Sequence, residues 1–123
     1  MPYRRERSES FILQELTLAL RDQIGDPRVA PLTITEVDVT RDRRIARVYV
    51  ACYSGEDDLK EGLKGLKSAR KVLSQHLFRV LHWPFTPRLE FRVDRSWEQG
   101  EKIDRLIDQV QKERERTEHP DTD

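Results

Sequence analysis

The chain has 123 residues, 36% of them hydrophobic and 37% charged, which suits one domain with a small core. Formal net charge is zero, but residues 1–95 hold 18 Lys+Arg and 14 Asp+Glu, whereas residues 96–123 hold 5 and 9. A basic body therefore precedes an acidic tail, and the lone Cys52 excludes an internal disulfide and a CxxC metal site. No run approaches the roughly 18 apolar residues of a membrane span, and the polar N-terminus leads into no signal-type apolar stretch. These features predict a soluble, cytoplasmic, single-domain protein.

Residues 1–10 are polar and read as loose. Leu13, Leu16, Leu20 and Ile24 then repeat at three and four, the face of a helix that Ser8 or Ser10 could cap and that Gly25 and Pro27 would end. Leu32 to Thr40 reads as a strand, with Thr33, Thr35, Val37 and Val39 on one face and Glu36 and Asp38 on the other. A turn at Arg41–Arg44 leads into a second strand, Ile45 to Tyr53, with Ala46, Val48, Val50 and Cys52 inward; the pair predicts an antiparallel hairpin. Leu59, Leu63, Leu66, Ala69, Leu73, Leu77 and Val80 form a helical stripe to about residue 82. Because Gly62, Gly65 and Ser68 weaken its middle, two helices with a bend are expected.

After Pro84 and Pro87, residues Arg88 to Asp94 alternate, with Leu89, Phe91 and Val93 facing in. Ile103, Leu106, Ile107 and Val110 make a last amphipathic helix. The predicted order is α-β-β-α-α-β-α, an α+β domain with helices on one face of a three-stranded sheet. Residues 1–111 form the domain, and 112–123 a charged tail expected to be disordered.

Lys60, Lys64, Lys67 and Lys71 step by four, three and four, which puts them on one helix face beside the leucine stripe. Arg70 adjoins this stripe and Arg79 lies two turns on. Residues 60–95 carry 9 basic and 3 acidic side chains. Such a row suits the regular charge spacing of a phosphate backbone; the bland alternative is a solvated helix face. Arg41, Arg43 and Arg44 in the turn, and Arg4, Arg5 and Arg7 at the N-terminus, add two more basic points. The outer sheet face mixes Glu36, Asp38, Arg47, Glu90, Arg92 and Asp94, a pattern of cross-strand ion pairs. Gly62-Leu63-Lys64-Gly65 matches the GxxG by which KH domains clamp a nucleic-acid backbone, but falls inside a helix rather than between two.

Enzyme chemistry finds little support. His76, His82 and His119 lack metal-ligand spacing, Cys52 lies on an apolar strand face, and Asp26 and Asp94 have no evident partner. There is no Walker loop, GxSxG or dinucleotide fingerprint. No catalytic residue, metal or cofactor is expected.

Asp26-Pro27-Arg28-Val29, Leu32 to Asp42 (LTITEVDVTRD) and Ala46-Arg47-Val48-Tyr49-Val50 together resemble the bacterial ribosome-binding factor A family. So do Leu66-Lys67-Ser68-Ala69, Pro87 to Asp94 (PRLEFRVD) and Gly100-Glu101-Lys102-Ile103. The resemblance covers about residues 4 to 110. It implies a type II KH-like fold and a non-catalytic protein. It further implies binding to the free 30S subunit late in assembly, contact with 16S rRNA near the neck, help with 5′-end maturation, and importance in the cold. It also implies an Ala-x-Gly kink between two helices, here at Ser68, Ala69, Arg70 and Lys71, with Lys71 in place of the glycine. An arginine common just after that kink is Ser74 here. A monomer with no membrane or small-molecule partner is expected. The rival reading is a protein-interaction module docking through the polar sheet face or the last helix.

Overall fold

The computed structural model describes Pro2 to Glu98, with side chains from Arg7 onward. The expected last helix at Ile103–Val110 and the tail at 112–123 lie outside the described residues.

Helix α1 spans Pro2–Asp22. It thus begins eight residues before Ser10, and neither Ser8 nor Ser10 caps it. Arg and Glu are good helix formers, and proline is tolerated in a first turn, so a polar stretch could still be helical. Tertiary contact secures it: the Glu9 carboxylate accepts the Val39 N–H at 2.8 Å. Ile12, Leu16, Ala19 and Leu20 form its buried stripe, with Leu13 packed at the margin. A 3-10 turn at Pro27–Val29 follows, capped by Asp26, which accepts the Arg28 N–H.

Strands β1 (Leu32–Val39) and β2 (Ile45–Cys52) pair antiparallel, as their patterns predicted. The predicted face of β1 needs correction. A bulge between Ile34 and Glu36 reverses the alternation, so Ile34, Val37 and Val39 are buried while Thr33 is exposed. Thr35 is the extra residue. Its hydroxyl donates to the Asp94 carboxylate at 2.5 Å and lies 3.4 Å from the Tyr49 carbonyl oxygen.

Helix α2 runs unbroken over Glu56–Leu81, 26 residues, replacing the expected pair of helices. It passes through Ser68, Ala69, Arg70 and Lys71 without interruption. Positive φ outside glycine occurs, among the described residues, at Arg43 and His82, and therefore not at Lys71. The mid-helix glycines are explained by close packing. A Cβ on Gly62 would lie 2.7 Å from Leu32, and one on Gly65 would lie 2.8 Å from Val29 Cγ1. Packing of the 3-10 turn and β1 against the bare helix backbone offsets the roughly 1 kcal/mol that each glycine costs in propensity. Gly55, at φ 119°, opens the helix, and Glu56, Asp57 and Asp58 suit its positive end. His82, at φ 55°, closes it.

Strand β3 (Arg88–Val93) pairs parallel to β2, giving the order β1-β2-β3 with the helical crossover α2 between the parallel strands. Leu66, Ala69, Leu73 and Leu77 of α2 meet Ala46, Val48 and Val50 of β2, Leu89 of β3 and the α1 stripe in one core. No described polar or charged residue is buried in it. Among the described residues, both helices thus cover one face of the sheet, and on the other Glu36 and Arg92 are exposed.

Candidate nucleic-acid interface

Because α2 is one unbroken helix of 26 residues, it offers side chains along about 39 Å at 1.5 Å per residue. Lys60, Lys64, Lys67, Arg70, Lys71 and Arg79 are all exposed. At 100° per residue, the four lysines fall within a sector of roughly 60°.

Their surroundings differ along the helix. Lys60, Lys64 and Lys67 line a shallow depression with Asp57 and Glu61, and Lys64 bonds Glu61 at 3.1 Å. Glu56, close to Lys60, also pairs with Arg95, and that bond above all holds its carboxyl below the usual range. The next depression contains Lys67, Arg70 and Lys71 and no acid. Residues 67–81 hold four cations and no carboxylate, whereas residues 56–66 hold two cations and four carboxylates.

Arg70 is anchored from below: its guanidinium lies 5.5 Å from the centroid of Phe91, on β3. The β1–β2 turn uses the same device. Arg43 stacks over Trp83 at 4.9 Å and Arg44 over Phe85 at 4.7 Å. Both rings belong to the loop that follows α2, so the turn stands at the C-terminal end of that helix. The Arg88 N–H donates to the Arg44 carbonyl at 2.7 Å and ties the two segments together. Arg41, Arg43 and Arg44 are exposed. Asp42 is committed to the turn itself: the Thr40 hydroxyl and the Arg44 N–H donate to it and lower its pKa. A guanidinium resting on a ring keeps its N–H edge available for phosphate oxygens while losing less freedom on binding.

The structure therefore gathers Lys67, Arg70 and Lys71 in one recess. It sets Arg79 farther along the same helix and Arg41, Arg43 and Arg44 at that helix's end. Lys60 and Lys64 lie toward the opposite, acidic end. Arg4 and Arg5 lie in the first turns of α1, and their side chains are outside the described residues. The aromatic shelves Trp83, Phe85 and Phe91 were missed from sequence because each touches an arginine 21 to 41 positions away. Phe78, 67% exposed, was also missed. It lies seven residues after Lys71, so extending the lysine stripe by two turns would have found it.

Gly62 and Gly65 are buried against Leu32 and Val29 and present no loop to a phosphate. Two aspartates read as unpartnered are in fact paired. Asp26 bonds the Arg28 guanidinium at 2.6 Å, which lowers its pKa. Asp94 accepts from Thr35 and from the Ser96 N–H, with the same effect. On the outer sheet face, Arg47 lies 3.8 Å from Asp38 and 3.5 Å from Glu90, and Arg88 and Arg92 reach Glu90 at 3.0 and 3.2 Å. The two Arg47 pairs cross the strands, as the mixed pattern predicted, whereas Arg88 and Arg92 pair with Glu90 along β3 itself.

His76 bridges the helices, with Glu15 and Gln23 each at 2.9 Å. Cys52 is buried, its sulfur 3.3 Å from the Ser54 hydroxyl. Among the described residues, no group of three or more His, Cys, Asp or Glu is placed to hold a metal ion, and no helix is long and apolar enough to cross a membrane.

Sheet order, parallel crossover and one-sided helices define an α+β domain of the type II KH-like class, here with a basic helical face. The family profile of ribosome-binding factor A matches residues 4–107. A ribosome-binding factor A from Caldanaerobacter subterraneus is 34% identical over 114 residues, covering 92% of this chain and 93% of the relative. The crystal structure of ribosome-binding factor A from Thermus thermophilus matches with a TM-score of 0.64 at 27% identity, covering 72% of this chain and 93% of that one. A Thermus thermophilus ribosome-binding factor A, fitted into the cryo-EM map of a 30S complex, matches with a TM-score of 0.57 at 28% identity, covering 71% and 91%. The chain belongs to the ribosome-binding factor A family.

Proposed function

We propose that this protein binds the free 30S subunit through the phosphates of 16S rRNA and assists late maturation of that rRNA, including processing of its 5′ end. The observation that carries this reading is the acid-free second half of α2, where Lys67, Arg70, Lys71 and Arg79 are exposed with no carboxylate among them. Arg43 and Arg44, shelved on Trp83 and Phe85, extend the cationic surface past the helix end. Phosphate contacts of this kind position a protein without reading sequence. The binding of a relative to the 30S subunit, stated for the Thermus thermophilus protein, agrees with it.

The protein acts by binding energy, favouring one rRNA conformation over another, and catalyses no reaction. It works as a cytoplasmic monomer. Residues 1–111 form the binding domain, and 112–123 are a dispensable acidic tail. The test is co-sedimentation of purified protein with 30S subunits at increasing salt. Neutralising about four phosphates gives a log–log slope of roughly −3 to −4; a slope near zero contradicts the phosphate model.

A further inference from the structure

We propose that Phe78 is a stacking platform for an unpaired RNA base. This rests on the RNA-binding reading above and adds a subsite to it. Phe78 is the most exposed large hydrophobic residue among those described, at 67%, although its neighbour Leu77 is fully buried. The core does not use the ring: the apolar side of α2 is filled by Leu66, Leu73 and Leu77.

The ring's position on the helix matters more than its exposure. Phe78 follows Lys71 by seven residues and Lys67 by eleven, which returns it to the lysine sector. It lines the same shallow recess as Lys67, Arg70 and Lys71, with the Gln75 amide one turn before it and Thr86 opposite. A lone ring among cations and small polar groups does not suit an apolar peptide, which needs a contiguous apolar patch. It does suit a nucleotide. The phosphates meet the lysines, the base lies on the ring, and stacking accepts every base because each has a π face. Gln75 supplies both a donor and an acceptor for a base edge.

The experiment uses the intact protein and two probes of equal length: oligoadenylate, and a ribose-phosphate oligomer lacking bases. The parent binds oligoadenylate more tightly. Phe78→Ala weakens oligoadenylate binding about 5- to 150-fold, the range for loss of one base–aromatic stack. It leaves the abasic oligomer, the salt slope and the melting temperature unchanged, while Phe78→Trp retains affinity for oligoadenylate. A folded Phe78→Ala variant that binds oligoadenylate as the parent does, or that loses affinity equally for both oligomers, overturns the stacking site. So does a loss confined to intact 30S subunits, which would make Phe78 a protein contact. Lys67→Glu with Lys71→Glu weakens both oligomers; if both bind that variant as well as they bind the parent, the RNA reading itself falls.

Discussion

The two halves of α2 present lysines on the same face, yet they differ in what surrounds those lysines. In residues 56–66, Lys60 and Lys64 sit among Glu56, Asp57, Asp58 and Glu61. Those acids belong at a helix N-terminus, where the dipole favours them. The same half packs its glycines against Leu32 and Val29, and Arg95 ties Glu56 to the segment after β3. It is the architectural half. Residues 67–81 carry four cations and no acid, and a phenylalanine turned to solvent. Periodicity identifies a face, but the local balance of charge identifies the part of that face able to attract a polyanion.

The largest expected effect breaks the second half. Arg70→Glu with Lys71→Glu reverses two charges in the acid-free recess and should weaken binding to 30S subunits by a few kcal/mol, about 100-fold or more. Lys60→Glu with Lys64→Glu, equal in charge change, should cost less than about 1 kcal/mol, because those lysines already face carboxylates. Equilibrium binding of both variants to purified subunits makes the comparison, and equal losses would erase the distinction. Both should fold, since none of the four positions is buried.

Breaking the first half should act on stability instead. Gly65→Val places methyl groups where even a Cβ lies 2.8 Å from Val29. Overpacking of this kind costs roughly 1–3 kcal/mol. Denaturant titration should show that loss, with RNA affinity unchanged for the folded fraction. A smaller effect checks the continuity of α2. Lys71→Gly, which installs the glycine that the family resemblance implies at this position, should destabilise by about 1 kcal/mol because it falls on an exposed face inside a helix. A neutral or stabilising outcome would show that the helix bends at this position.

The smallest effect is acid sensitivity. Asp26, Glu56, Glu90 and Asp94 all have lowered pKa values, caused chiefly by side-chain donors: Arg28, Arg95, Arg92 with Arg88, and Thr35. A depressed carboxylate contributes stability that is present above its unfolded value and lost as pH falls through the folded one. The melting temperature should therefore be level above about pH 5 and decline below about pH 4, the ordinary carboxylate range. Arg95→Ala should make the decline shallower, because Glu56 then loses the largest of the interactions that favour its ionised form; an unchanged decline would show that the Glu56–Arg95 pair has no part in it.

The parts of this fold legible in sequence were those governed by periodicity alone. The leucine stripe of α2, the hairpin, and the alternation of β3 all stand. Three features depended on partners distant in sequence and were not legible. The first turns of α1 carry no apolar repeat and are secured by Glu9 at Val39. The bulge at Thr35 lets its hydroxyl meet Asp94, 59 residues on. The glycines of α2 look like helix breakers until Leu32 and Val29 occupy the space they leave. The site divides in the same way. Its cations were visible as a stripe, but the rings beneath Arg43, Arg44 and Arg70 were not.

The most direct test of the phosphate-binding role of the second half of α2 is the salt dependence of 30S binding. The parent and the two double charge reversals are measured side by side. For every phosphate that a variant no longer neutralises, the log–log slope should shrink by about one. The Arg70/Lys71 variant should therefore lose about two from its slope, while the Lys60/Lys64 variant keeps the parental value. The reverse pattern, or equal slopes for all three proteins, would contradict the division of α2 into an architectural and an RNA-binding half.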